Sequence, residues 1–248
     1  MYYPASVLST GRLLYFTLIL LYYLYMEEPE GKIRITENGP YIVTGKIPLK
    51  RYVIGIDDEG YSYEWREVEA YPLMDSYALC RCGQSGSKPF CDGTHALVNF
   101  EGTETASRKP YLEQAETTEG PALKLTDVLG LCASARFCNR AGGTWELTRK
   151  SDDPEARKTA IEEAAACSSG RLVVWDENGQ AIEPDLEPSI AITEDPQYGM
   201  NGPIWVRGGI PIESADGSLY ESRNRVPLCR CGRSRNKPFC DSSHCQKP

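Results

Sequence analysis

The sequence predicts an α+β protein in which two small β-rich units flank a small α+β insert. Three observations carry this reading. A strand-rich segment occurs twice, each copy runs into a cysteine loop of one spacing, and the composition between the copies shifts to a helix followed by a strand.

The N-terminal segment, residues 1–26, stands apart. Leu13 to Met26 is a run of 14 residues almost free of polar groups. As a helix it would be about 21 Å long, short of a hydrocarbon core of about 30 Å. Glu27, Glu28 and Pro29 follow in place of a small-residue cleavage site, so a cleaved signal peptide fits poorly. Two readings stay open: attachment to a membrane surface through residues 13–26, or upstream sequence with the soluble protein beginning at Met26. The second is preferred, because the globular pattern starts directly after that methionine. A cytoplasmic location is expected.

The first β-rich unit spans 27–103 and the second 187–248. Ile33 to Leu49 reads IRITENGPYIVTGKIPL, and Ile190 to Ile212 reads IAITEDPQYGMNGPIWVRGGIPI, with six extra residues in the second copy. Alternating β-branched residues around Asn38-Gly39 and Asn201-Gly202 predict hairpins, as do Asp58-Glu59-Gly60 and Ala215-Asp216-Gly217. The loops that follow, CRCGQSGSKPFCDGTH from Cys80 and CRCGRSRNKPFCDSSH from Cys229, agree at 11 of 16 positions, which a duplication explains. Residues 104–121 are polar with Gly and Pro and read as a linker. In the insert, 122–186, Asp152-Asp153-Pro154 opens a helix that ends at Cys167-Ser168-Ser169-Gly170, and the strand-like Leu172 to Trp175 turns at Asn178-Gly179.

Composition excludes several functions. The chain has 248 residues, 41% apolar and 25% charged, within the ordinary globular range. With 27 basic and 35 acidic residues the net charge is -8, which repels a phosphate backbone and argues against nucleic acid as a partner. Ten Cys are too few for a disulfide scaffold of this length. Neither GxxxxGK[ST] nor a GxGxxG behind a strand occurs. The only two His each lie four residues after the last Cys of a loop, so a hydrolytic triad would need one of them as its base. An enzyme is not expected.

Nine of the ten Cys fall into triplets: Cys80, Cys82 and Cys91; Cys132, Cys138 and Cys167; and Cys229, Cys231 and Cys240. In an extended chain, Cys at i and i+2 point to one side and can grip one metal ion. The Cys and His of CDxxH would lie one helical turn apart if Asp92 or Asp241 caps a short helix, and would grip another. Two ligands on each of two irons suit a 2Fe-2S cluster. Three Cys and one His also make a tetrahedral zinc site, although CxxC pairs are commoner there. A disulfide is disfavoured by S–S geometry and leaves both His unused.

These loops resemble the CDGSH iron-sulfur domain, whose pattern CxCxxSxxxPxCDGxH is met in full from Cys80 to His95. The second copy departs from it at Ser242, where the pattern has Gly, a residue that tolerates backbone angles Ser does not. The resemblance implies that Cys80, Cys82, Cys91 and His95 hold one 2Fe-2S cluster, and Cys229, Cys231, Cys240 and His244 a second. Within each, the first two Cys would bind an inner iron and the Cys-His pair an outer one. Single-motif members pair as homodimers, so the two copies here are expected to pair inside one monomeric chain about a pseudo-two-fold axis. Each cluster would carry a formal charge of about -1, and about -2 when reduced. Arg81, Lys88, Arg230, Arg233, Arg235 and Lys237 are candidate cations to ease that step; solvated surface charge is the alternative.

The middle triplet begins as Cx5C, with Ala135 where a ferredoxin has its second Cys. Loop, helix, CSSGRL and strand resemble the divergent single-cluster ferredoxin-like domain. The resemblance implies that Cys132, Cys138 and Cys167 hold a 3Fe-4S cluster, or a 4Fe-4S cluster with a borrowed ligand. Three buried thiols acting as small hydrophobes are the alternative. Phe137 and Trp145 read as core. Cys245 reads as an unpaired surface thiol, with a regulatory role as the alternative. The function expected is electron transfer to an unknown redox partner protein; a zinc-stabilised interaction module and a cluster donor or redox sensor are the alternatives.

Overall fold

Alternating apolar residues build strands in both repeats. The computed structural model describes residues 31–246. The first repeat forms β1 (Lys32–Ile35), β2 (Tyr41–Thr44), β3 (Leu49–Ile56), β4 (Ser62–Ala70) and β5 (Ser76–Leu79). The insert forms β6 (Glu116–Glu119), β7 (Lys124–Asp127), β8 (Leu172–Trp175) and β9 (Ala181–Ile182), with helices Thr144–Arg149 and Pro154–Ala166. The second repeat forms β10 (Ser189–Asp195), β11 (Met200–Arg207), β12 (Ile212–Glu213) and β13 (Arg225–Leu228). Mixed sheets with few helices make this an α+β protein. Among the described residues no helix is long and apolar enough to cross a membrane. The apolar run 13–26 lies outside the described residues.

The repeats flank the insert in sequence but interleave in space. One sheet has the order β12-β1-β2-β5 and another β13-β11-β10-β3-β4, so each takes a strand from the other repeat. The two crossings are equivalent: β1 runs parallel to β12 with Ile33 opposite Ile212, and β10 parallel to β3 with Ile190 opposite Leu49. The Ile33 amide donates to the Pro211 carbonyl and the Ile190 amide to the Pro48 carbonyl, both at 2.9 Å. Ile33, Val43, Leu79, Ile190, Ile204 and Leu228 are all fully buried in one core drawn from both copies.

The β1–β2 hairpin stands at Asn38-Gly39 as expected, with Asn38 at positive φ. The expected turn at Asn201-Gly202 is displaced, because both residues lie within β11, Asn201 opposite Glu194. The chain reverses at residues 196–199 instead, where Pro196 presets φ and Gly199 takes φ 62°. The extra residues of the second copy supply that turn. The stretch 104–121, read as a linker, is packed: it contains a helical turn, Tyr111–Gln114, and β6. Glu104 within it accepts from the Tyr220 hydroxyl at 2.5 Å and the Ser214 hydroxyl at 2.9 Å.

The insert is a four-stranded antiparallel sheet, β6-β7-β8-β9, covered by its two helices. Asp153 caps the longer helix by accepting from the Ala156 amide at 2.8 Å, with Pro154 at its first position, as the sequence signals. Phe137 is core, stacking on Trp65 of β4, and Trp65 donates its indole N–H to the Ala166 carbonyl at 2.9 Å. Arg225 of β13 fastens the other side. Its side chain is 1% exposed and donates to the carbonyls of Ala164, Cys167 and Leu172 and to the Glu183 carboxylate. Arg225→Met would orphan these acceptors, so a loss of about 3 kcal/mol is expected. Thermal unfolding of the loaded protein should then shift down by roughly 6–12 °C for a chain of this size.

Candidate metal centres

Each outer loop leaves a strand end and returns to it. After β5, the Cys80 amide donates to the Pro89 carbonyl at 2.8 Å and the Cys91 amide to the Ala78 carbonyl at 2.9 Å. After β13, the Cys229 amide donates to Pro238 at 2.8 Å and the Cys240 amide to Pro227 at 2.7 Å. The residues between the cysteines hold this shape. Ser85 and Ser234, both buried, donate to the carbonyls of Phe90 and Phe239. Asp92 accepts from the amides of Gly86 and Thr94, and Asp241 from those of Arg235 and Ser243. Neither Asp is itself a helix cap, since Gly93 and Ser242 occupy that position. Lys88 and Lys237 each donate to a loop carbonyl, of Ser85 and Ser234, at 2.8 Å.

The ligand atoms come as pairs. Cys80 and Cys82 Sγ are 3.8 Å apart, and Cys91 Sγ lies 3.3 Å from His95 Nδ1. The second loop repeats this at 3.7 Å for Cys229 and Cys231 and 3.3 Å for Cys240 and His244 Nδ1. Two sulfurs on one tetrahedral metal at bonds of about 2.3 Å sit about 3.8 Å apart, so each pair spans one ion. Among the described residues no three Cys, His, Asp or Glu side chains gather around a single ion position. Amides point at the sulfurs: Gln84 N lies 3.4 Å from Cys82 Sγ, and the Ser242 amide bonds Cys240. Burial holds the Cys82, Cys229 and Cys240 thiols up, for Cys229 after its hydrogen bond with Cys231. Cys231 is the member of its pair that ionises first, held down by that same bond and by Arg233. Burial, then Arg230 and Arg233, lower the His244 imidazole to about 4, which keeps it neutral and free to ligate at ordinary pH.

The expected cations have other tasks. Arg81 is 2% exposed and donates to the carbonyls of Thr36 and Gly102. Arg230 donates to those of Gly202 and Thr193. Each clamps its loop to its own repeat, and neither is solvated surface charge. Lys88, Arg233 and Arg235 remain exposed.

The two loops also touch. Gly83 and Gly232 both take φ 77°, and each faces the backbone of the opposite loop. A Cβ on Gly83 would lie 2.7 Å from the Cys231 carbonyl oxygen, and one on Gly232 2.5 Å from that of Cys82.

The middle triplet lines one cavity of about 410 Å³. Cys132, Cys138 and Cys167 all face it, with Trp145, Ser168, Arg171, Tyr198 and Met200. So does Cys245, from the end of the second loop, where the sequence predicts a surface thiol. The triplet itself gives no sign of this, because Cys245 lies far from it along the chain. Burial raises the Cys138 thiol to about 12, helped by Cys167 and Cys132. Burial opposes ionisation of Cys132 too, but the Ser134 amide and Arg171 outweigh it and lower that thiol. Arg171 is held by a bidentate pair with Asp127 at 2.5 and 2.7 Å. The Ser168 hydroxyl is fully buried in the cavity wall and has no hydrogen-bond partner among the described residues. Four thiols and an unsatisfied donor fit an iron-sulfur group.

Comparison with protein families agrees with this geometry. The model described as an iron-binding zinc finger of CDGSH type matches residues 38–96 and 201–245. A second, described as a divergent 4Fe-4S mono-cluster, matches residues 118–177. The chain is a two-CDGSH iron-sulfur protein. No curated protein and no solved structure matches it.

The departure from the CDGSH pattern at Ser242 has a visible cause. Ser242 takes the same left-handed conformation as Gly93, at φ 69° against 87°. Its hydroxyl donates to the Cys132 carbonyl at 2.6 Å and accepts from Ser134 at 2.8 Å. The bonds offset the backbone cost of about 1–2 kcal/mol and tie the second CDGSH loop to the middle site. Gly232→Ala is expected to separate the two CDGSH loops, adding a backbone cost of about 1–2 kcal/mol to a clash with a carbonyl. Thermal unfolding and visible absorbance measured together should show a lower transition temperature and earlier loss of both outer chromophores.

Proposed function

We propose that this protein transfers electrons through a 2Fe-2S cluster in each outer loop and a third cluster in the middle cavity. The observation that carries the reading is the pairing of ligands. Each loop offers two separate two-ligand bites, Cys-Cys and Cys-His, and a dinuclear cluster needs both. A mononuclear zinc site needs four donors around one point, which this arrangement does not favour. When bound, each cluster accepts one electron from a donor and passes it to an acceptor. The chain's own contribution is to bury the sulfurs, aim amide N–H groups at them and offer a neutral imidazole on the outer iron. The insert would serve as a ferredoxin-like domain, a reading supported by the match of residues 118–177 to a divergent 4Fe-4S mono-cluster.

The redox partner would approach the first loop at its His95 edge. Leu97 and Val98 beside it are 84% and 48% exposed, which suits a transient apolar contact. Ten free thiols suit a reducing, cytoplasmic setting. The interleaved repeats leave a single chain as the expected functional unit.

Full-length protein purified without oxygen should be coloured, with about seven or eight irons per chain and acid-labile sulfide in similar amount. Stoichiometric zinc without sulfide would overturn the proposal. A second expectation concerns the imidazoles. Protons compete with iron for a ligating imidazole as pH falls, and for His244, lowered to about 4, only toward that value, whereas metal-bound thiolates resist further down. His95→Cys and His244→Cys should each slow the acid bleaching of one cluster and lower its reduction potential. Stopped-flow absorbance and a redox titration check both, and unchanged values would remove His from the ligand set.

A further inference from the structure

We infer that Cys245 is the fourth thiolate ligand of the middle cluster, which is thereby a 4Fe-4S cluster whose last corner is supplied by the second CDGSH loop. The inference rests on the proposed iron-sulfur reading and goes beyond it, since the triplet by itself leaves one corner open.

Cys245 is the one additional thiol that lines the cavity of Cys132, Cys138 and Cys167. The position that would carry a local fourth Cys holds Ala135, in the same wall. Three of the other polar side chains there are committed. Arg171 is paired with Asp127, Arg136 with Asp195 and Gln197, and the Ser134 hydroxyl with Ser242. Among the described residues no acceptor holds the Cys245 thiol elsewhere, and its neighbours are Ser134 and Cys132 of the same lining.

The loop is also anchored at this spot from both sides. Ser242 bonds the Cys132 carbonyl, and the Cys245 amide donates to the Ser242 carbonyl at 2.9 Å. On the other face, Ser134 and Arg136 take φ 54° and 63°, left-handed values that side chains other than Gly rarely adopt. These turns wrap residues 132–138 around the cavity. Cubane ligands bind four different irons, so they stand around a cavity rather than converge on one ion position, and these four do. Ligation would release the Cys245 proton to solvent and fill the vacant corner. One dipeptide, His244-Cys245, would then carry ligands of two neighbouring clusters.

The test compares the full-length parent with Cys245→Ala and Cys132→Ala, all prepared without oxygen. The parent should hold about eight irons and give no signal in electron paramagnetic resonance when oxidised. Cys245→Ala should hold about seven irons and show the signal of an oxidised three-iron cluster, or lose the middle cluster and fall to about four. Cys132→Ala should fall to about four, with the outer chromophores intact. If Cys132→Ala loses iron and Cys245→Ala matches the parent in iron and spectrum, Cys245 is not a ligand. If Cys132→Ala loses none, the middle-cluster reading itself fails. Should Cys245→Ala not fold, alkylation of the unmodified chain decides. Mass spectrometry should find Cys245 protected from iodoacetamide in loaded protein and labelled after iron removal. Equal labelling in both would overturn the inference.

Discussion

The parallel pairing of β1 with β12 and of β3 with β10 is the constraint on which the remaining structure depends. Each pairing gives one repeat's strand to the other repeat's sheet, so neither sheet is complete without both copies. The consequence reaches the loops. β5 and β13, which lead into the cysteines, lie in different sheets, and the exchange brings their ends together until Gly83 and Gly232 meet the opposing backbone. A homodimer could reach such an arrangement by symmetry. Here it is obtained within one chain, and the insert is free to break that symmetry.

The insert exploits that freedom. It packs on β4, a strand with no counterpart in the second repeat, through Trp65 and Phe137. It reaches the second loop through Ser134 and Ser242, and Arg225 of β13 holds the end of its longer helix. Of the two CDGSH loops, among the described residues the second alone lines the middle site. Burial is what gives these contacts chemical meaning. It holds the Cys82, Cys138 and Cys240 thiols up in the metal-free chain, so those thiolates form as the metal binds and the free energy of binding supports the fold around it.

The outer sites were legible in the sequence because their ligands lie within 16 residues, and each intervening Ser, Pro and Asp has a local structural task. The helix Pro154–Ala166, the strand Leu172–Trp175 and the core position of Phe137 were legible for similar local reasons. Three features were not. The strand exchange follows from which copy pairs with which, and identical local patterns serve either choice. The second hairpin's turn moved from Asn201-Gly202 because Pro196 and Gly199 in the insertion make a turn of their own. Cys245 reaches the middle cavity through tertiary packing alone, and the one local hint was Ser242, a residue that exchanges Gly's freedom for a bond to Cys132.

The central claim is that each CDGSH loop binds two metal ions through two unlike ligand pairs. Mössbauer spectroscopy of the full chain, isotopically enriched in iron and reduced by one electron per outer cluster, tests it most directly. Two distinguishable irons are expected in each outer cluster, with the added electron localised on the iron that carries the imidazole. Equivalent irons with all-sulfur ligation, or isolated mononuclear iron, would contradict it.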